Sequence, residues 1–141
     1  MRGIVIDPKL RRIQDVELRD DNVLPDIWKL IGSDNLDHMT LSDAGDTLWC
    51  YGFALMEGPV FAFRIVSRGQ KTDPLGGICV ITGYDRNSGE SCDCHIPISL
   101  LENTVEFLDE IIPEVTMVTE ESKPGFTHIR QVVTYSRVKN G

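Results

Sequence analysis

Short alternating stretches and brief apolar runs dominate the first hundred residues. Gly3, Ile4, Val5 and Ile6 form an apolar run closed by Asp7 and Pro8, and residues 11 to 18 then alternate with Ile13, Val16 and Leu18 as the apolar members. This pattern predicts a β-hairpin. After the acidic turn Asp20, Asp21, Asn22, the segment Leu24 to Ile31 carries Pro25 in its first turn and Gly32 just past its end, which predicts a short helix packed by Ile27, Leu30 and Ile31. Leu36 to Leu41 and Thr47 to Phe53 suit two strands around the turn Ser42 to Asp46, and Val60 to Val66 suits a third. Gly77 to Thr82 is continuously apolar, the mark of a strand in a sheet centre, and Ser91 to Ile96 follows the polar turn Tyr84 to Gly89 as its return strand.

Helical spacing appears once more, at Leu101, Val105, Leu108 and Ile112, behind the S-x-x-E pair Ser99 and Glu102. A helix from Leu100 to Ile111, ended by Pro113, is the expectation. The β-branched segments Glu114 to Glu120 and Thr127 to Val138 flank Glu121 to Gly125 and suggest a closing hairpin. The resulting fold class is α+β, a mostly antiparallel sheet with two helices and a C-terminal β-hairpin. No repeat or linker divides the chain, so a single domain over 1–141 is expected, with 1–112 as its core and 113–141 as a hairpin extension.

Composition narrows the class. The 141 residues include 22 acidic and 14 basic side chains, a net charge of −8, with 41% hydrophobic content. A chain of this size buries roughly 68–70% of its unfolded surface, enough for a core without a metal or disulfide staple. Disorder, a membrane span and non-specific DNA binding are disfavoured, and the absence of a basic-then-apolar leader points to the cytosol. Cys50, Cys79, Cys92 and Cys94 lack the paired C-x2-C spacing of zinc sites and suit reduced thiols filling strands.

The densest basic cluster before the C-terminus is Arg64, Arg68 and Lys71, just ahead of Gly76, Gly77 and the apolar strand. Cations beside flexible glycine backbone can grip a phosphate, although no P-loop or G-x-G-x2-G pattern is present, and pairing with surface acids is the commoner arrangement for such cations. Trp49, Tyr51 and Phe53 share one strand face, able to stack a base or to pack a helix or a partner subunit. His38, His95 and His128 sit in no recognisable catalytic frame, and Asp43 and Asp46 are expected as solvated turn acids rather than cation ligands.

With Ile4 to Pro8, Leu30 to Gly32, the Gly45, Asp46 turn, Pro74 to Gly83 and Pro97 to Leu101 in place, the chain resembles an uncharacterised family of small phage and plasmid proteins over roughly residues 1 to 108. That resemblance implies an accessory protein working in the bacterial cytosol, and it brings no catalytic residues. The expected function is non-enzymatic capture of a small anionic nucleotide-like ligand, with Arg64, Arg68 and Lys71 on phosphate, Gly76 and Gly77 in the turn, and Trp49 and Tyr51 stacking the base. No cofactor, membrane or direct nucleic-acid contact is expected. The expected assembly is a homo-oligomer formed through the aromatic strand and the C-terminal hairpin. An acidic inhibitor or adaptor of a basic host protein, a DNA mimic included, is the alternative. A metal-assisted nucleotide hydrolase using Asp43, Asp46 and a histidine comes third.

Overall fold

The computed structural model describes residues 1–139. Alternation along its first strand decides the layering. Strand β1 (Arg2–Asp7) sends Ile4 and Ile6 to one face of a sheet and Val5 to the other, and all three are buried. It pairs antiparallel with β2 (Arg12–Glu17) and with β8 (Cys79–Asp85). Strands β4 (Thr47–Tyr51) and β3 (Leu36–Thr40) continue this central sheet in the order β2-β1-β8-β4-β3, and β9 (Glu90–Cys92) pairs with β8. Residues 79 to 83 are buried on both faces, as their unbroken apolar run requires.

Helix α1 (Val23–Ile31) covers one face of that sheet. Its Ile27 packs with Val5, Leu18 and Val80, with Trp49, Leu30 and Ile31 around them, and Gly32 closes the helix by donating its N–H to the Trp28 carbonyl at 2.7 Å. Each fully buried aliphatic side chain here contributes about 1.5–3 kcal/mol. A second antiparallel sheet covers the other face. It runs β11 (Phe126–Arg137), β10 (Val105–Lys123), β5 (Val60–Ser67), β6 (Gln70–Lys71), with β7 (Leu75–Gly76) also on β5. Phe63 from β5 and Leu101 from helix α2 (Ile98–Thr104) join Ile4, Ile6, Leu48, Cys79 and Ile81 in the main core between the sheets. The fold is α+β with two helices, antiparallel sheets and a C-terminal hairpin, as expected.

The expected helix over 100–111 is corrected. Helix α2 ends at Thr104, its N-cap is Pro97 rather than Ser99, and no side chain caps it. From Val105 the chain is strand, consistent with the β preference of Val105, Phe107, Ile111 and Ile112. A register shift between Phe107 and Glu110 explains the helical spacing. The bulge changes the inward parity, so Leu108 and Ile111 are both buried although three residues apart. Strand β10 therefore begins at Val105, first pairing with β5 and then with β11 from Ile111 onward, and β9 is shorter than the return strand expected over 91–96.

Candidate functional site

Where α1 begins, it leaves part of the central sheet uncovered, and a cleft of about 780 Å³ opens there. Strand alternation supplies its floor. Trp49 lies opposite His38 in the β3–β4 register and Thr47 opposite Thr40, all four on the α1 face and lining the cleft with Tyr84. The indole is held firmly. Its Nε1–H donates to the fully buried Thr82 Oγ1 at 3.0 Å, and the His38 ring lies 5.4 Å away at a 42° tilt. One wall is the segment from Asp20 to Pro25, and the opposite wall is Gly89 to Ser91 on the β8–β9 hairpin.

The rim is acidic. Asp20, Asp21 and Glu90 line the cleft, and no lysine or arginine does. Asp20 meets the amino group of Met1 at 3.2 Å, whereas Asp21 and Glu90 have no ion-pair partner among the described residues. Arg19 fixes the wall that carries Asp20 and Asp21. Its guanidinium donates to the Asp26 carboxylate at 2.6 Å, and its backbone N–H donates to the same group at 2.9 Å. These bonds, the side-chain ones foremost, lower the Asp26 pKa to about 2. The wall is thus tied to the first turn of α1 before any ligand arrives.

A second constellation went unread in the sequence. Asp46 is not a solvated turn acid: it is 1% exposed, and the expectation is corrected. Its carboxylate accepts the Ser42 hydroxyl at 2.7 Å and the His95 backbone N–H at 2.9 Å, while the His95 ring Nδ1 stands 3.6 Å away. Burial alone would raise its pKa, but the hydrogen bonds from His95 and Ser42 outweigh it and hold the carboxyl below the usual range. Asp46 therefore fastens the β3–β4 turn to the chain after β9. The Ser42, Asp43, Ala44, Gly45, Asp46 stretch signals a turn, but its burial depends on a contact 49 residues away, beyond the reach of local pattern.

The sequence-derived site residues fall into separate places. Arg64 and Lys71 converge on one carboxylate, since Glu106 lies opposite Arg64 in the β5–β10 register and receives its Nη2 at 2.8 Å and Lys71 Nζ at 3.8 Å. The Arg64 Nε–H is buried and without a partner, out of reach of a ligand. Hydrogen bonding from Arg64 foremost lowers the Glu106 pKa. Arg68 occupies the β5–β6 turn with φ of +53° beside Gly69 at +77°, as a type I′ hairpin turn demands. Gly77, with φ of +74°, donates its N–H to the Phe61 carbonyl at 2.9 Å, and a Cβ on Gly76 would sit 3.1 Å from Ala54. Both glycines line a smaller cavity of about 220 Å³ with Tyr51, whose hydroxyl donates to Glu57. Only Trp49 of the seven lines the large cleft.

Burial raises the thiol pKa of Cys79 well above its ordinary value and that of Cys94 to about 11, so these two are unreactive core fillers. Among the described residues no helix is long and apolar enough to cross a membrane, and no group of three or more His, Cys, Asp or Glu side chains has the arrangement to hold a metal ion. No protein-family model, curated protein or solved structure matches the chain.

Proposed function

We propose that this is a non-enzymatic binding protein that takes a cationic side chain of a basic partner protein into the cleft between α1 and the central sheet. One observation carries the reading: this cleft joins a fixed aromatic floor to two carboxylates, Asp21 and Glu90, that form no ion pair among the described residues, and it is lined by no lysine or arginine. A guanidinium over the indole face gains cation–π attraction, and Asp21 and Glu90 supply charge-assisted acceptors on either wall. A volume of about 780 Å³ lies within the ordinary range of ligand clefts. The reading gives the acidic balance of −8 a local purpose, that of an adaptor or inhibitor of a basic protein. The setting is the bacterial cytosol and a phage or mobile element, as the resemblance implies.

Capture of an anionic nucleotide-like ligand has less support from the geometry. Arg64 and Lys71 already share Glu106, and the stacking residue Trp49 sits among carboxylates that repel phosphate.

The test uses a tri-arginine peptide as probe and Trp28→Phe protein, which leaves Trp49 the sole tryptophan of the two in the chain. Binding should change Trp49 fluorescence and weaken as salt is raised. Asp21→Asn with Glu90→Gln should lower the affinity about tenfold, since each exposed ion pair is worth up to about 1 kcal/mol. Absence of calorimetric heat and of fluorescence change with the peptide would refute the reading, and binding of a cyclic dinucleotide in its place would support the anion-capture alternative.

A further inference from the structure

The C-terminal hairpin leaves the body of the protein with an edge that no other described residue pairs with. Strand β11 is the outermost strand of the second sheet and runs for 12 residues, Phe126–Arg137. The N–H of Val138 bonds the Glu110 carbonyl at 2.9 Å, and the register keeps this phase up to the tip. Antiparallel alternation then turns the backbone N–H and C=O groups of Ile129, Gln131, Val133 and Tyr135 away from β10, towards the open side.

Protein sheets normally protect such an edge by shortness, proline, charge or a bulge. The other edges follow that rule. Strand β2 carries Asp15 and Glu17, β3 is five residues long with Asp37, and β6 has two residues. Strand β11 has no proline, glycine, aspartate or glutamate, and its arginines are answered within the hairpin, Arg130 by Glu120 at 2.7 Å and Arg137 by Asp109 at 3.5 Å. One face of the ribbon is apolar as well: Val115 lies opposite Val133 in the register, and Met117 and Ile129, each 67% exposed, continue that face outward.

We propose that β11 is a homodimer interface, at which two copies of this chain join their second sheets antiparallel about a two-fold axis near Gln131. The charge pattern selects a second copy over other occupants. A chain of −8 repels itself across most of its surface, but this edge holds no carboxylate and brings none against its mate. An acidic peptide or a nucleic acid would need free cations, and the internal pairs of Arg130 and Arg137 remove them. In this register Ile129 lies beside Val133 of the partner subunit, and a two-stranded ribbon that is marginal alone becomes four strands wide. Edge pairing buries less than the roughly 800 Å² per partner of a standard interface, so the dimer is moderate in strength, with a Kd on the order of micromolar. This inference is independent of the cleft.

Sedimentation equilibrium of the full chain over a concentration series tests it, against a monomer mass of 15.8 kDa. The expected result is reversible conversion to twice that mass. Gln131→Pro removes an outward N–H without a β10 ladder bond, and Ile129→Lys adds a like charge to both halves of the contact; each should weaken the dimer at least tenfold. Hydrogen exchange on the unaltered protein should show concentration-dependent protection at Ile129, Gln131, Val133 and Tyr135, a readout that needs no variant to fold. A wild type that stays monomeric, a dimer indifferent to both substitutions, or protection at those amides induced by a hexaglutamate peptide and not by concentration would overturn the proposal.

Discussion

Two regions of this molecule concentrate carboxylates, and they treat them oppositely. Around Asp46 and Glu106 each carboxylate is answered, Asp46 by a hydroxyl and a backbone N–H inside the fold and Glu106 by two cations across a sheet. Around the cleft, Asp21 and Glu90 stand on two walls of an aromatic cavity without an ion-pair partner among the described residues. The difference teaches that charge density is a poor guide to a binding site, whereas unanswered charge beside a fixed apolar surface is a better one. A cluster that satisfies itself stabilises the fold and offers little to a ligand. The contrast makes measurable demands on both regions.

The largest effect is expected from Asp46→Ala. Removing the carboxylate strands the His95 N–H and the Ser42 hydroxyl, a loss of about 2–3 kcal/mol. Urea denaturation should record it as a lower midpoint at unchanged slope. At a temperature where the variant remains folded, its affinity for tri-arginine should match the wild type, because Asp46 does not line the cleft. A tenfold loss of peptide affinity without a stability loss would dissolve the distinction between the two regions.

Acid should separate them next. The pKa values of Asp26, Asp46 and Glu106 are lowered in the folded protein, Asp26 to about 2. Near pH 4 the unfolded chain therefore binds more protons than the folded one, so stability rises with pH there. The contribution is complete above the ordinary carboxylate range and disappears as pH falls through the folded values, between about pH 5 and pH 2. Thermal melts over that window should fall steadily for the wild type and less steeply for Asp26→Asn. An Asp26→Asn slope equal to that of the wild type would place Asp26 among the unanswered carboxylates.

Much of the body was legible because its elements are short and locally determined. The first hairpin, α1 with its Gly32 stop, and the buried strand at Cys79 to Gly83 follow from alternation, a helix-ending glycine and an unbroken apolar run. Helix α2 failed for a physical reason. The bulge after Phe107 gives a strand the spacing of a helix, and the Ser99, Glu102 pair imitates a capping box that the chain does not use. The cleft was half legible. Trp49 stood out as part of an aromatic face, but the walls around it come from Asp20 to Pro25 and from Gly89 to Ser91, segments far apart in sequence that only the fold brings together. Which acid answers the cations at 64 and 71 was not legible, because Glu106 lies some 40 positions downstream in what reads as a helix.

Glu106→Gln tests that last point directly and should have the smallest effect on stability. Glu106 is partly exposed, so solvent screens its pairs with Arg64 and Lys71, and the expected cost is smaller than that of Asp46→Ala. The substitution also leaves a half-buried guanidinium and an ammonium side by side with no carboxylate between them. If those cations form an anion site held shut by Glu106, the variant should bind a nucleotide such as AMP or a cyclic dinucleotide while the wild type does not. The expected outcome is that neither protein binds, because Gly76, Gly77 and Trp49 line other cavities. Nucleotide binding that appears only in Glu106→Gln would move the functional centre to the second sheet and leave the acidic cleft without a role.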